Sequence, residues 1–227
     1  MRNVLGRRVC IAVITIAAFL PVNGAYGQDA VPWKQLSAEW WQWALSIPTS
    51  VNPLVDATGG NCMVGQRGTT WFLAGAIASD PVLRECDVPQ DTTLFFPVIN
   101  SINFDTPGQC GQGDPLPVSV YRDLSEQFVN GATNLSVTLD GDPVSPLHRT
   151  ASPVFAVAVP ADNLFSSFQI CLLRAGIYSP AVDAGIYARL SPLSVGTHTL
   201  HIHAEQPDAM FELDVTYHLN VVSVVFR

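Results

Sequence analysis

Four of the five histidines in this 227-residue chain lie between His198 and His218, with Glu205 and Asp214 among them. Imidazole nitrogen and carboxylate oxygen are donors that zinc and copper(II) take in proteins, so this stretch is the first candidate for metal chemistry. Its pattern says how those side chains are held. Leu200, Ile202 and Ala204 alternate with His201, His203 and Glu205; after Gln206-Pro207-Asp208, Leu213, Val215, Tyr217 and Leu219 alternate with Asp214, Thr216 and His218. Strict alternation over both arms predicts a β-hairpin with one buried face and one polar face. A turn that sets Ala204 near Phe211 or Leu213 places Asp214 across from His201 or His203, and His218 near Thr197 or Thr199 and diagonal to His201. Facing side chains in such a ladder are about 5 Å apart and diagonal ones about 7–8 Å. His201, His203, Glu205, Asp214 and His218 are therefore the candidate metal ligands, with zinc or copper as the ion. The competing reading is an amphipathic hairpin whose solvent face happens to carry histidines. A cupin follows its His-x-His with a glutamate after three or four residues, whereas Glu205 comes after one. His198 shares the side of Leu200 and is expected to be partly buried and hydrogen-bonded, while His148 stands apart in what reads as a loop.

The second candidate site is aromatic. Trp40, Trp41 and Trp43 lie within WKQLSAEWWQWALSIP, and Trp71 opens the apolar run to Ile77. Leu36, Trp40, Trp43, Ala44 and Ile47 fall on one helical stripe, with Ser37 reading as the N-cap, Glu39 in the first turn and Pro48 as the stop. A helix apolar over most of its girth must dock against something, so burial is the weightier reading. The functional one makes Trp40, Trp41, Trp43 and Trp71 a surface for a small molecule, a glycan or an envelope component, with no cofactor expected.

Other chemistries find no foothold. The chain has no G-x-S-x-G elbow, P-loop, dinucleotide fingerprint or H-E-x-x-H motif. With nineteen acids a glycosidase-like carboxylate pair can be nominated anywhere, so none is informative. Asp105 and Asp114 match no EF-hand spacing and read as part of a turn region.

The first residues carry Arg2, Arg7 and Arg8, then an apolar run from Val9 to Leu20, a break at Pro21 and small residues at Ala25 and Gly27. This is the pattern of a secretory signal over residues 1–27, leaving residues 28–227 as one exported domain, periplasmic or extracellular, with no transmembrane segment in the mature chain. Eight of the eleven basic residues then remain against all nineteen acids, a net charge of −11, which disfavours nucleic acid as a partner. Cys62, Cys86, Cys110 and Cys171 remain as an even set without a C-x-x-C pair, and export makes two disulfides the expectation. Three pairings are open, of which Cys62 with Cys86 and Cys110 with Cys171 is preferred.

Along the chain, Trp71–Ile77 reads as a strand buried on both faces, and 93–100 as its neighbour after a loop containing Cys86. Pro97 marks that neighbour as an edge or a bulge. VSVYRDLSEQFVN predicts a second helix near 118–130 with Val120, Leu124 and Phe128 on its apolar face and Gly131 as its stop. Strands follow around 135–139, 153–160 and 185–190, with an Asp140-Gly141 hairpin turn and a helical turn near 162–168. SAEWWQWALSIP, NPLVDATGGNC, GQRGTTWFLAG, RECDVPQDTTLFFPVIN, PLSVGTHTLHIHAE and FELDVTYHLNVV together resemble an uncharacterised family of exported bacterial proteins. That resemblance implies one module containing the tryptophan helix and the strands, and transfers no activity. PLSVGTHTL is also similar to the late strands of immunoglobulin-like sandwiches. The expected fold is mainly β: a β-sandwich, immunoglobulin-like or jelly-roll-like, with a short N-terminal tryptophan-rich helix and the second helix. The expected function is a non-catalytic binding or cell-envelope-associated module; the alternative is a metal-dependent enzyme or metal-binding protein using the histidine face.

Overall fold

The computed structural model describes residues 31–77 and 80–223, so the expected leader lies outside the described residues. In chain order the elements are helix α1 (Trp33–Ser46), strands β1 (Thr70–Phe72), β2 (Val82–Pro89) and β3 (Thr93–Phe104), helix α2 (Val118–Asn130), and strands β4 (Thr133–Leu139), β5 (Asp142–Pro143), β6 (His148–Ala151) and β7 (Phe155–Val159). Helix α3 (Leu164–Ser167) and strands β8 (Gly176–Leu190), β9 (Gly196–Gln206) and β10 (Phe211–Val222) complete them. One sheet runs β1-β3-β8-β6, with β7 also on β8; the other runs β2-β10-β9-β4-β5. Two pairings, β1 with β3 and β2 with β10, are parallel. The expected β-sandwich is therefore present, built from two mixed sheets.

The alternation that predicts the hairpin also makes the core. Leu200, Ile202 and Ala204 of β9 and Leu213, Val215, Tyr217 and Leu219 of β10 meet Leu94, Phe96 and Val98 of β3 and Ala184 and Ala188 of β8 between the sheets. The opposite face of the β3–β8 sheet is buried too. There Phe95, Ala181 and Tyr187 receive Leu36, Trp40, Ala44 and Leu45 of α1, so the molecule has three layers. Such a sheet must be apolar on both faces, and LFFPVI in β3 is the near-continuous apolar run that this requires. Pro97 satisfies both expectations for it. β1 pairs with β3 only as far as Phe95, and the β3–β8 register shifts between Pro97 and Ile99.

Several expectations are corrected. α1 begins at Trp33, directly after Pro32, so Ser37 is an interior residue whose hydroxyl donates to Asp183 rather than an N-cap, and Glu39 lies beyond the first turn. Residues Leu73–Ala76 are buried and Ile77 half-buried, but the segment is irregular: the carbonyls of Leu73, Ala74 and Gly75 bind side chains instead of a strand. The segment around Cys86 is strand β2, not a loop; its inward row is Val82, Arg84, Cys86 and Val88, and the arginine hides the alternation. On α2 the buried residues are Tyr121, Ser125 and Val129, while Val120 and Leu124 are exposed and Phe128 is partly buried. Two hydroxyls turn that helix, since Tyr121 donates to Asp105 at 2.6 Å and Ser125 accepts from Asn103 at 2.8 Å. His148 sits in β6 stacked on Trp33, with ring centroids 4.4 Å apart, rather than alone in a loop. β8 extends nine residues further towards the N-terminus than the Gly185 start read from the pattern.

Both disulfides follow the preferred pairing, Cys62–Cys86 and Cys110–Cys171. They fit an exported chain. Among the described residues no helix is long and apolar enough to cross a membrane.

Candidate functional site

A cleft of about 300 Å³ lies along the free edge of β3, where the inter-sheet core and the α1 layer meet. Past Phe95 no described strand pairs with that edge of β3, so side chains of both cores come to the surface beside it. Trp40, Trp41 and Leu45 of α1 form one wall, Val98, Ile99 and Ile102 of β3 the floor, Phe128, Phe211 and Leu213 the far end, and Leu164, Phe165 and Ile170 the lip. Ile170 is 65% exposed, and its neighbour Cys171 is tied to the loop after β3 through Cys110. Among the described residues Asn100 is the one polar side chain in the lining apart from the tryptophan indoles.

Asn100 is anchored from below. Its amide donates to the Tyr187 hydroxyl at 3.2 Å, and that hydroxyl donates to the buried carboxyl of Asp183. Asp183 also accepts from Ser37 at 2.8 Å. Burial raises the Asp183 carboxyl above the ordinary range even though the tyrosine and serine hydroxyls favour its charged form. Burial, with Asp183 beside it, raises Tyr187 well above its usual value, so it stays a hydrogen-bond donor. The Trp41 Nε1 lies beside this hydroxyl but is buried with no hydrogen-bond partner.

The four tryptophans do not form one surface. Trp40 and Trp41 share the cleft, but the Trp40 indole already donates to Leu73 O at 2.9 Å. Trp43 is buried, donating to Val64 O at 2.9 Å, and Trp71 belongs to the inter-sheet core. Reasoning from the sequence missed the rest of the cleft, because Phe128, Phe165, Phe211 and Ile170 come from four elements or loops that only the fold brings together. Pro97 in an otherwise perfect strand was its one signal.

The hairpin face has the geometry its alternation implies. Ala204 pairs with Leu213, so His203 faces Asp214, His201 faces Thr216 and Thr199 faces His218. His201 Nε2 lies 2.9 Å from Asp214 Oδ1, His203 Nδ1 3.9 Å from Asp214 Oδ2, and His203 Nε2 3.4 Å from Glu205 Oε1. Four of the five candidate ligands are thus neighbours in one row of contacts, with Glu205 and Asp214 on opposite ring nitrogens of His203. His218 does not join them and lines a separate depression with Glu85, Asp87 and Asn220. Glu212, which faces Glu205 across the ladder, takes its place: His203, Glu212 and Asp214 offer ligand atoms within 4.8 Å of one another. His198 points to the other side, as expected. It is held at 2.7 Å from Asp140 and 3.0 Å from Ser194 O, and the bond to Asp140 raises its pKa while lowering that of Asp140.

No protein-family model, curated protein or solved structure matches this chain.

Proposed function

We propose that this chain is an exported binding module for a small, mainly apolar molecule bearing one hydrogen-bond acceptor, taken into the cleft beside β3. The observation that carries this reading is a cleft of about 300 Å³ walled by aromatic and branched aliphatic side chains. That volume is at the lower bound of sites that take small organic ligands, in which a mostly apolar lining supplies affinity and a few polar groups set orientation. The polar end is supplied by the Asn100 amide. A glycan is a poor fit, because one polar side chain cannot satisfy a row of hydroxyls. Among the described residues the lining includes no histidine, cysteine, carboxylate, lysine or hydroxyl side chain, which favours binding over catalysis.

The test is titration of the purified protein with n-decanol, followed by tryptophan fluorescence and by the melting temperature. A saturable change with a rise in melting temperature is expected, since a ligand of the folded state stabilises it. Ile102→Trp, which fills the floor, should abolish the response. Asn100→Leu, which removes the amide and keeps the bulk, should weaken binding about 2- to 10-fold, the worth of one hydrogen bond. No saturable response, or one unchanged in I102W, would rule the reading out.

A further inference from the structure

The structure assigns a divalent transition-metal site to the outer face of the β9–β10 hairpin, with His203, Glu212 and Asp214 as its ligands and His201 and Glu205 beside them. The site takes zinc or copper(II) and is independent of the cleft.

Three observations carry it. The first is spacing. Ligand atoms bonded at about 2.0–2.2 Å in tetrahedral or octahedral geometry are about 3–3.5 Å apart. His203, Glu212 and Asp214 already offer one ligand atom each within 4.8 Å of one another, with His203 Nδ1 3.9 Å from Asp214 Oδ2, so small side-chain movements suffice to close them on an ion. The second is charge. Glu205 and Glu212 are direct cross-strand partners, and Asp214 is one outward position further along β10. Like charges facing one another across a ladder are destabilising. Among the described residues the ion pairs of these acids go to His201 and His203, and no lysine or arginine reaches them. A divalent ion at this point converts a repulsive triad into a ligand set. The third is preorganisation: all five residues stand on two strands whose opposite face is the fully buried row from Leu200 to Ala204 and from Leu213 to Tyr217, so their backbone positions are fixed by the core.

The donor set chooses the metal. An imidazole with two carboxylates, and a second imidazole hydrogen-bonded to one of them, without thiolate, suits zinc and copper(II), whereas calcium and magnesium take oxygen ligands. All the donors come from one side of a sheet, so part of the coordination sphere faces solvent and stays open for water or an exogenous ligand.

The experiment uses purified protein without a polyhistidine tag, titrated calorimetrically with zinc chloride and with copper sulfate, and with calcium chloride as the control. One ion per chain is expected for zinc and copper and none for calcium. D214N and H203Q should each weaken binding by about tenfold or more, the loss typical even of outer-shell partners. H148Q and H218Q should leave it unchanged, since neither side chain belongs to the cluster. Circular dichroism checks that the outward-facing substitutions leave the fold intact. Electron paramagnetic resonance of the copper form of the unaltered protein provides a readout that needs no variant, and it should show coupling to imidazole nitrogen. Absence of stoichiometric binding, affinity undiminished in D214N and H203Q, an equal loss in H148Q or H218Q, or a copper spectrum without nitrogen coupling would each overturn the assignment.

Discussion

Replacing Arg84 by methionine should cost about 3 kcal/mol of stability, and the deficit should deepen disproportionately when the Tyr217 hydroxyl is also removed. Arg84 is buried on the inward face of β2, yet all four of its hydrogen bonds go to uncharged acceptors. Its Nε donates to Asp56 O at 2.7 Å, and its Nη1 reaches Ala74 O and Gly75 O at 2.9 Å each and the Tyr217 hydroxyl at 2.6 Å. Tyr217 itself donates to Ala74 O at 2.6 Å. In R84M, Ala74 O therefore keeps a donor, while Asp56 O and Gly75 O lose theirs. Two orphaned carbonyls at about 1–3 kcal/mol each give roughly 2–6 kcal/mol. Relief of the buried charge returns part of this, leaving about 3 kcal/mol. Y217F should cost about 1 kcal/mol, since Ala74 O is then still served by Arg84. In the double variant Ala74 O has no donor at all, so the loss should exceed the sum of the single losses by about 1–3 kcal/mol. Urea unfolding with the disulfides intact measures all four proteins, and R84M should shift the midpoint by about 1–2 M. A loss below about 1 kcal/mol in R84M, or strict additivity in the cycle, would show that the carbonyl cradle is not what Arg84 supports. The same variant bears on the cleft, because Gly75, Ala76 and Ile77 line it and the Arg84 bonds hold that irregular segment in place.

Three further expectations concern titration and thiols. The Asp183 carboxyl is raised by burial, so its folded state holds a proton more tightly than the unfolded chain; its contribution is complete below about pH 4 and is lost as pH rises. The amide that D183N puts in its place does not titrate. The stability difference between the unaltered protein and D183N should therefore shift in favour of D183N as pH rises from about 4 through the raised carboxyl value, and a pH-independent difference in urea midpoints would contradict the buried acid. His198 is raised and Asp140 lowered by their mutual bond, so their ionic contribution should be present above the lowered Asp140 value, lost as pH rises through the raised His198 value, and lost again as pH falls through that of Asp140. H198Q should accordingly lower the melting temperature most near about pH 5–6 and least in alkali, which a pH series of thermal scans checks. Mass mapping of the non-reduced protein should find Cys62 linked to Cys86 and Cys110 to Cys171 with no free thiol among them, and a reactive thiol at any of the four would refute the pairing.

The C-terminal hairpin and its two faces were legible in the sequence. Its two-residue period assigns each side chain to a face, and a slip of one residue would send Leu213 and Tyr217 into water and Asp214 into the core. That constraint is local, so the outward position of His203 and Asp214 and the inward one of His198 follow from the alternation, while it leaves open whether Asp214 faces His201 or His203. The helical stripe of α1 was legible for the same reason, and an even number of cysteines for a compositional one. Where the tertiary structure decides, a non-local partner outweighs the local pattern. Arg84 looks like a break in a strand until four acceptors on distant segments absorb it, and Tyr121 and Ser125 outcompete Val120 and Leu124 for the interior because Asp105 and Asn103 wait opposite them. Glu212 is an ordinary polar position in the alternation until the register sets it against Glu205. The cleft is the extreme case. It exists because β1 stops pairing at Phe95 and leaves an edge where two hydrophobic layers meet, and no single segment of the chain encodes where its neighbours will end.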